Sequence, residues 1–452
     1  MDIEKLLKLS REACASAASA GAQDADAIVV DGRSVSVEIE KNSISSCDVE
    51  YDAGYGARAF HHGGVGFSRG RGLDASDAKA AGTDAAAMSR EAQPDPDFIA
   101  LPQPPGAANA YAQIGGMFDE KVEQVELPAV IEWGLRCVEA ARAIEPDVLV
   151  KCGAGATALG YALANTRGIA SAERATFVSF YVFSVVRRGD DVGSFYDYTQ
   201  GRRLEDLKTP EEVAREATER AVSFLGARKI ESGKFPTLLG PLAAGSFIRS
   251  VIGPSSAEEI QRGRSYLAEK RGSSIASERL TVTEDPLLDA GLYSSAFDGE
   301  GVPRRRSNLI DKGVLTSYLH NSYTANKAKE ENNGHAARGS YNSDVGISAS
   351  NLTVTPGGKT EAELIRGISD GLYIYAASLS PNSVTGQISG TVDHGYRIIN
   401  GEFAYPVQNV MLGGDVFEFL NSIEEITSDF RVERGNNMPS ILLGGVTVAG
   451  SA

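Results

Sequence analysis

A chain of 452 residues is too long for one ordinary hydrophobic core, and 42% hydrophobic with 23% charged residues gives ample apolar material for two. A formal net charge of −16 argues against a protein that grips nucleic acid through its phosphates, which needs a basic face. The 49 glycines point to many turns and short strands instead of a helical bundle.

The amphipathic start MDIEKLLKLSREA predicts a helix ended by Gly21, and it lacks the apolar core of a signal peptide. A β-meander follows: Val35, Val37 and Ile39 alternate with polar residues, and further strands read at Ile44–Val49, Tyr55–Phe60 and Val65–Phe67. Turns are expected at Lys41-Asn42 and His62-Gly63-Gly64. An Ala-rich helix starts near Asp74 and gives way to a Pro-rich strap from Pro94 to Pro105. A second long helix spans about Leu127 to Ile144, and the apolar run Phe177–Val186 reads as a central strand. Thr209-Pro210-Glu211-Glu212 is a capping box with proline at the first helical position.

Gly226 to Gly233 reads as a domain boundary, giving residues 1–225 and 226–452. Beyond it, Phe235–Leu239 is an extended segment broken by Gly240-Pro241, and a small, apolar helix follows. A helix is expected around Ala257–Glu269, then mostly short strands, as in an antiparallel sheet or open barrel. Thr360 with Glu363, and Asp415 with Glu418, cap two further helices. Strands cluster in runs and do not alternate with helices, so the expected class is α+β with a mixed N-terminal domain and a β-rich C-terminal one.

The four cysteines, Cys14, Cys47, Cys137 and Cys152, show no Cys-x-x-Cys spacing and are expected as reduced thiols. No apolar run approaches membrane-span length, so a cytoplasmic protein without membrane or nucleic-acid partners is expected. Gly66-Phe67-Ser68-Arg69-Gly70 matches a nucleophile elbow, but no helix can start directly after it, and a turn is the simpler reading. Gly357-Gly358-Lys359-Thr360 resembles the tail of a phosphate loop, with Thr360 better explained as a helix cap. None of the five histidines pairs with another at helical spacing, and a zinc site would have to gather His320, His335, Asp393 and His394 from afar. Arg304-Arg305-Arg306 neighbours Glu284, Asp285, Asp298 and Glu300. Its bland reading is a solvated ion-paired face; its functional one is a peptide-binding cluster of Asp298, Glu300, Arg304 and Arg305.

Several ordered segments resemble the TldD/PmbA family, described as modulators of DNA gyrase and as metallopeptidases. They are Gly64-Val65-Gly66-Phe67, Asn165-Thr166-Arg167-Gly168, Ser232-Gly233-Lys234-Phe235-Pro236, Arg264-Ser265-Tyr266-Leu267, Glu284-Asp285-Pro286, Phe297-Asp298-Gly299-Glu300-Gly301-Val302-Pro303, Leu309–Leu315, Gly401–Val407, and Pro439–Leu442 with Val446–Gly450. In the family's TldD branch a helix early in the C-terminal domain carries H-E-x-x-x-H, and a later Cys completes a zinc site. Here that helix reads Leu242-Ala243-Ala244-Gly245-Ser246-Phe247-Ile248, and no Cys follows Cys152. The chain is similar to the PmbA branch, also called TldE. The resemblance implies no catalytic or metal-ligating residue in this chain, no cofactor of its own, and zinc only in a TldD-like partner. It further implies a heterodimer with that partner or a homodimer, acting on extended peptides. Two other readings stay open: an autonomous metallopeptidase with a gathered metal site, and a binding protein acting on DNA gyrase.

Overall fold

The computed structural model describes residues 1–106, 111–431 and 435–450. The first half is a six-stranded sheet of β1 (Asp24–Glu40), β2 (Ser43–His61), β3 (Gly64–Arg71), β4 (Leu149–Asn165), β5 (Ala170–Arg188) and β6 (Asp191–Gly201). The order is β3-β2-β1-β4-β5-β6, and every pairing is antiparallel. Phe177–Val186 therefore lies in β5, one strand from the edge, and not at the sheet's centre. Lys41-Asn42 and His62-Gly63 each place two consecutive residues at positive φ, the geometry of a two-residue hairpin turn.

The helices are α1 (Ile3–Ser19), α2 (Ala75–Glu91), the single turn α3 (Glu120–Glu123), α4 (Leu127–Ile144) and α5 (Pro210–Ser223). Alternate residues of β1, from Ala25 to Ile39, bury against them in two apolar clusters: α1 and α2 at one end, α4 and α5 at the other. The intervening residues Ile28 and Val30 therefore face away, towards the C-terminal half. The proposed elbow at Gly66–Gly70 is not a turn: it lies wholly within β3, with Ser68 opposite Ala57. Its glycine content has a packing reason, since a Cβ at Gly66 would sit 2.0 Å from the Ala85 carbonyl oxygen of α2. The Pro-rich strap is anchored, with Phe98 stacked on Phe60 at 4.0 Å and Leu101 buried. Gly82 of α2 meets α1 as closely: an added Cβ would lie 2.0 Å from the Ala13 carbonyl oxygen. Gly82→Ala is expected to destabilise by about 1–3 kcal/mol through overpacking, read from the urea midpoint.

The second half begins with β7 (Gly233–Leu239), α6 (Pro241–Ile252), α7 (Ala257–Gln261) and β8 (Val282–Glu284). Short elements follow: β9 (Ser307–Asp311), β10 (Val314–Leu315), α8 (Ser322–Ala328), β11 (Ala336–Ala337), β12 (Gly346–Ile347), β13 (Leu352–Val354) and α9 (Glu361–Gly367). Then come β14 (Asp370–Ala377), β15 (Gln387–Ile399), β16 (Glu402–Pro406), β17 (Met411–Asp415), α10 (Val416–Asn421), β18 (Ile423–Arg431) and β19 (Met438–Ala449). The β-rich half goes one step beyond an open barrel. The path β14-β7-β19-β17-β15 is closed by pairing of β14 with β15, and β7 runs parallel to β14. The helix expected to reach Glu269 stops at Gln261, because Gly263 turns at φ +67° and Tyr266 bonds instead to the Ser383 carbonyl. The capping boxes at Thr209 and Thr360 both form. All four cysteines are free thiols. Among the described residues, no helix is long and apolar enough to cross a membrane.

Candidate functional site

Helix α6 is the hinge of the site. Gly240 and Pro241 end β7 and start the helix, and its inner stripe (Ala243, Ala244, Phe247, Ile248, Val251) is buried in the barrel's core. The opposite stripe, Leu242, Gly245, Ser246 and Arg249, has spacings of three, four and seven, so it forms one face. That face lines a cavity of about 250 Å³. Across it stand Tyr196, Tyr198 and Gln200, alternate residues of β6, the edge strand of the N-terminal sheet. The groove therefore runs between the two halves of the molecule. At Pro241, Leu242 and Arg431 it meets a second cavity of about 300 Å³, walled by Arg220, Tyr373 and Tyr375. At its other end Tyr293 also lines a third cavity.

The groove's polar groups are held from behind. Asp197, fully buried, accepts from Arg431 at 2.7 Å and from Lys208 at 3.0 Å, and Arg431 also donates to the Tyr198 carbonyl at 2.6 Å. Buried Arg202 donates to the carbonyls of Gly291 (2.8 Å) and Leu292 (2.7 Å), which fixes the loop carrying Tyr293. The Arg249 guanidinium lies 5.0 Å from the Tyr293 ring centre, and its Nη2 is buried without a hydrogen-bond partner among the described residues. The Asn436 Oδ1 is likewise buried and unpartnered among them. One unspent donor and one unspent acceptor in a groove walled by tyrosines suit the N–H and C=O groups of an extended peptide.

The groove face of α6 does not fit a zinc ion. Leu242, Gly245, Ser246 and Arg249 offer no imidazole, thiolate or carboxylate, and the positive charge of Arg249 opposes a cation. Among the described residues no group of three or more His, Cys, Asp or Glu is placed to hold a metal. The scattered set is not gathered either. His335 is held between Glu284 (2.6 Å) and Asn333 (2.8 Å), and His320 faces Thr324 at 3.3 Å. His394 packs elsewhere, 4.9 Å from the rings of both Phe195 and Phe224.

The four candidate peptide-binding residues separate. Asp298 is buried and its oxygens accept from the backbone N–H groups of Glu300, Val302 and Ala336, so it braces a turn; burial and the Glu300 charge push it up to about 6. Glu300 is also buried, accepting from Ser322 N–H at 2.8 Å and from Arg58 at 3.3 Å. Arg305 is exposed, 3.7 Å from Glu331. Asp298 and Arg304 line the third cavity together, whereas Glu300 lines a separate cavity of about 450 Å³ beside Arg58 and Ser322. Asn165 has a structural role too: its Oδ1 accepts from the N–H groups of Arg167 and Ile169 and closes the turn at Gly168 (φ +104°). The alternation of Tyr196, Tyr198 and Gln200 and the spacing of the α6 stripe were readable in the sequence as faces. Tyr293 and Asn436 reach the groove from distant loops and left no local signal.

Burial lowers the pKa of His320 and His394 below the ordinary imidazole value. A base with a depressed folded pKa stabilises fully above its unfolded pKa, near 6.5, and loses that contribution as pH falls below it. Asp298 acts in the opposite sense, since its raised pKa relieves a cost as pH falls from about 6. With two groups against one, stability is expected to fall between pH 7.5 and 5.5 at fixed ionic strength. A urea midpoint that stays flat or rises over that range contradicts it.

Three domain models of one metallopeptidase family match the chain in order. These are PmbA/TldA metallopeptidase domain 1 over residues 25–89, the central domain over 120–225 and the C-terminal domain over 232–450. The chain belongs to the PmbA/TldD family. It is 34% identical to a metalloprotease of Methanothermobacter thermautotrophicus, over 52% of this chain and 52% of that one. To the metalloprotease PmbA of Escherichia coli O157:H7 it is 28% identical, over 64% of this chain and 62% of that protein. These matches thus span about half to three-fifths of the relatives' length. An uncharacterized protein of Methanocaldococcus jannaschii is 27% identical over 94% of this chain and 96% of its own. In fold, the chain resembles the crystal structure of TldE from Thermococcus kodakarensis, with a TM-score of 0.89 at 21% identity, covering 98% of this chain and 100% of that one.

Proposed function

We propose that this chain is the non-catalytic, peptide-holding subunit of a two-chain zinc peptidase, with the metal supplied by a partner whose corresponding helix carries H-E-x-x-x-H. The observation that carries the reading is the groove face of α6. It presents Leu242, Gly245, Ser246 and Arg249 to the groove, with no metal ligand among them and an unspent Arg249 Nη2 that suits a peptide carbonyl. Among the described residues β6 is ladder-paired with β5 alone, and it borders the groove with its Tyr198 carbonyl held by Arg431. The names of the relatives, metalloprotease PmbA and TldE, support a peptidase setting. The partner is a TldD-like chain in this reading, and a second copy of the present chain fills the same place in a homodimer. The test is fluorescence anisotropy of a labelled, unfolded peptide with an amidated C-terminus, together with metal analysis of the purified chain. Expected are zinc far below stoichiometric and binding that Arg249→Ala weakens. Stoichiometric zinc with chelator-sensitive cleavage by the chain alone contradicts the reading.

A further inference from the structure

The third cavity, about 380 Å³, lies on the face of the N-terminal sheet that carries no helix. Its floor is apolar: Ile28 and Val30 of β1, Leu159 and Leu163 of β4, with Phe297 against them from the C-terminal half. Its rim carries donors that nothing among the described residues uses. The Arg338 side chain is 2% exposed; its Nη2 donates to Asp26 at 2.6 Å, but its Nε has no hydrogen-bond partner among the described residues. Ser350 is 1% exposed and its Oγ is unpartnered among them. Arg304 donates through Nε to the Gly334 carbonyl at 3.1 Å, and its two Nη groups make no hydrogen bond among the described residues.

Two polar groups on the same lining are, by contrast, already engaged. Asp298 is bonded by three backbone N–H groups, and the Tyr161 hydroxyl sits between Glu173 at 2.6 Å and Ser295 at 2.9 Å. Buried donors without partners are costly, so a ligand that completes them brings acceptors. The planar fork of a guanidinium matches a carboxylate. The volume falls in the roughly 300–1,000 Å³ range of small-molecule sites.

We propose that this cavity binds a carboxylate attached to an apolar group, as presented by the C-terminal residue of a peptide. The carboxylate is taken by Arg304, Arg338 and Ser350, and the side chain lies on Ile28, Leu159 and Leu163. The cavity adjoins the α6 groove through Tyr293, so a peptide lying in the groove would deliver its end here. The choice of a peptide as carrier rests on the function proposed above; the cavity's chemistry does not.

Calorimetry on the full chain tests it with Ala-Ala-Leu, its C-terminal amide and N-acetyl-leucine. Loss of a charge-assisted hydrogen bond is expected to make the amide at least about tenfold weaker than the free acid. Arg304→Gln and, separately, Leu159→Ala are expected to weaken the acid by about the same factor, in variants whose melting curves stay cooperative. Tighter binding of the tripeptide than of N-acetyl-leucine supports a peptide source, and equal binding supports a free apolar acid at the same carboxylate site. Equal affinity for acid and amide overturns the proposal. So does no binding of any of the three, and if the long amidated peptide still binds in the groove, the function proposed above survives that failure.

Discussion

Asp26→Ala is expected to cost about 3–5 kcal/mol of folding free energy. Asp26 is 2% exposed and accepts from Arg58 at 2.5 Å and from Arg338 at 2.6 Å, while Arg58 also reaches Glu300 at 3.3 Å. The cluster joins β1 and β2 to the loops of the C-terminal half, and deleting its central carboxylate leaves two buried guanidinium groups without their main counter-charge. Burial alone would raise the Asp26 pKa, but Arg338 and Arg58 outweigh it and hold the group below its ordinary value. An acid with a depressed folded pKa stabilises fully above its unfolded value, near 3.8, and loses that contribution as pH falls through the folded one. The deficit of the variant is therefore expected to be full at neutral pH and to shrink in strong acid. Removing Arg338 as well, as Met, is expected to restore part of the loss, because one uncompensated charge goes with it. A deficit below about 1 kcal/mol at neutral pH would show that the cluster behaves like a surface ion pair.

Phe247→Ala is expected to cost about as much, roughly 3–5 kcal/mol, for a different reason. Phe247 is fully buried in the barrel core and its ring centre lies 6.0 Å from that of Phe419, so truncation opens a cavity where neighbours are already fixed. One residue away on the groove face, Ser246→Ala is expected to change stability by no more than about 0.5 kcal/mol. The contrast measures the division of labour on α6: one face packs the barrel, the other borders the groove. Urea denaturation of the two variants tests it, and similar losses in both would contradict it.

Local rules carried far in this sequence because they act over few residues. The alternation in β1, the hairpin turns at Lys41-Asn42 and His62-Gly63, and the capping boxes at Thr209 and Thr360 each depend on neighbours within five positions. The errors share the opposite origin. Ala257–Glu269 has helical composition, but Gly263 and the bond from Tyr266 to Ser383, over a hundred residues on, end the helix early. Gly66–Gly70 reads as a turn until α2 packs onto it and makes the glycines a matter of clearance. Asp298 and Glu300 read as surface charges beside an arginine run, whereas the fold buries both as acceptors for backbone N–H groups and for Arg58. The stripe of α6 that borders the groove was legible from its helical spacing. The groove itself was not, because Tyr293, Arg431 and Asn436 converge on it from segments that only the tertiary fold brings together.

The two-chain peptidase is tested by a peptidase assay on three samples: the purified chain, a relative carrying H-E-x-x-x-H, and an equimolar mixture, each with its metal content measured. Activity in the mixture is expected well above the sum of the separate samples, with the zinc carried by the relative and the present chain inactive alone. Zinc-dependent cleavage by the present chain alone, unchanged on mixing, would contradict it.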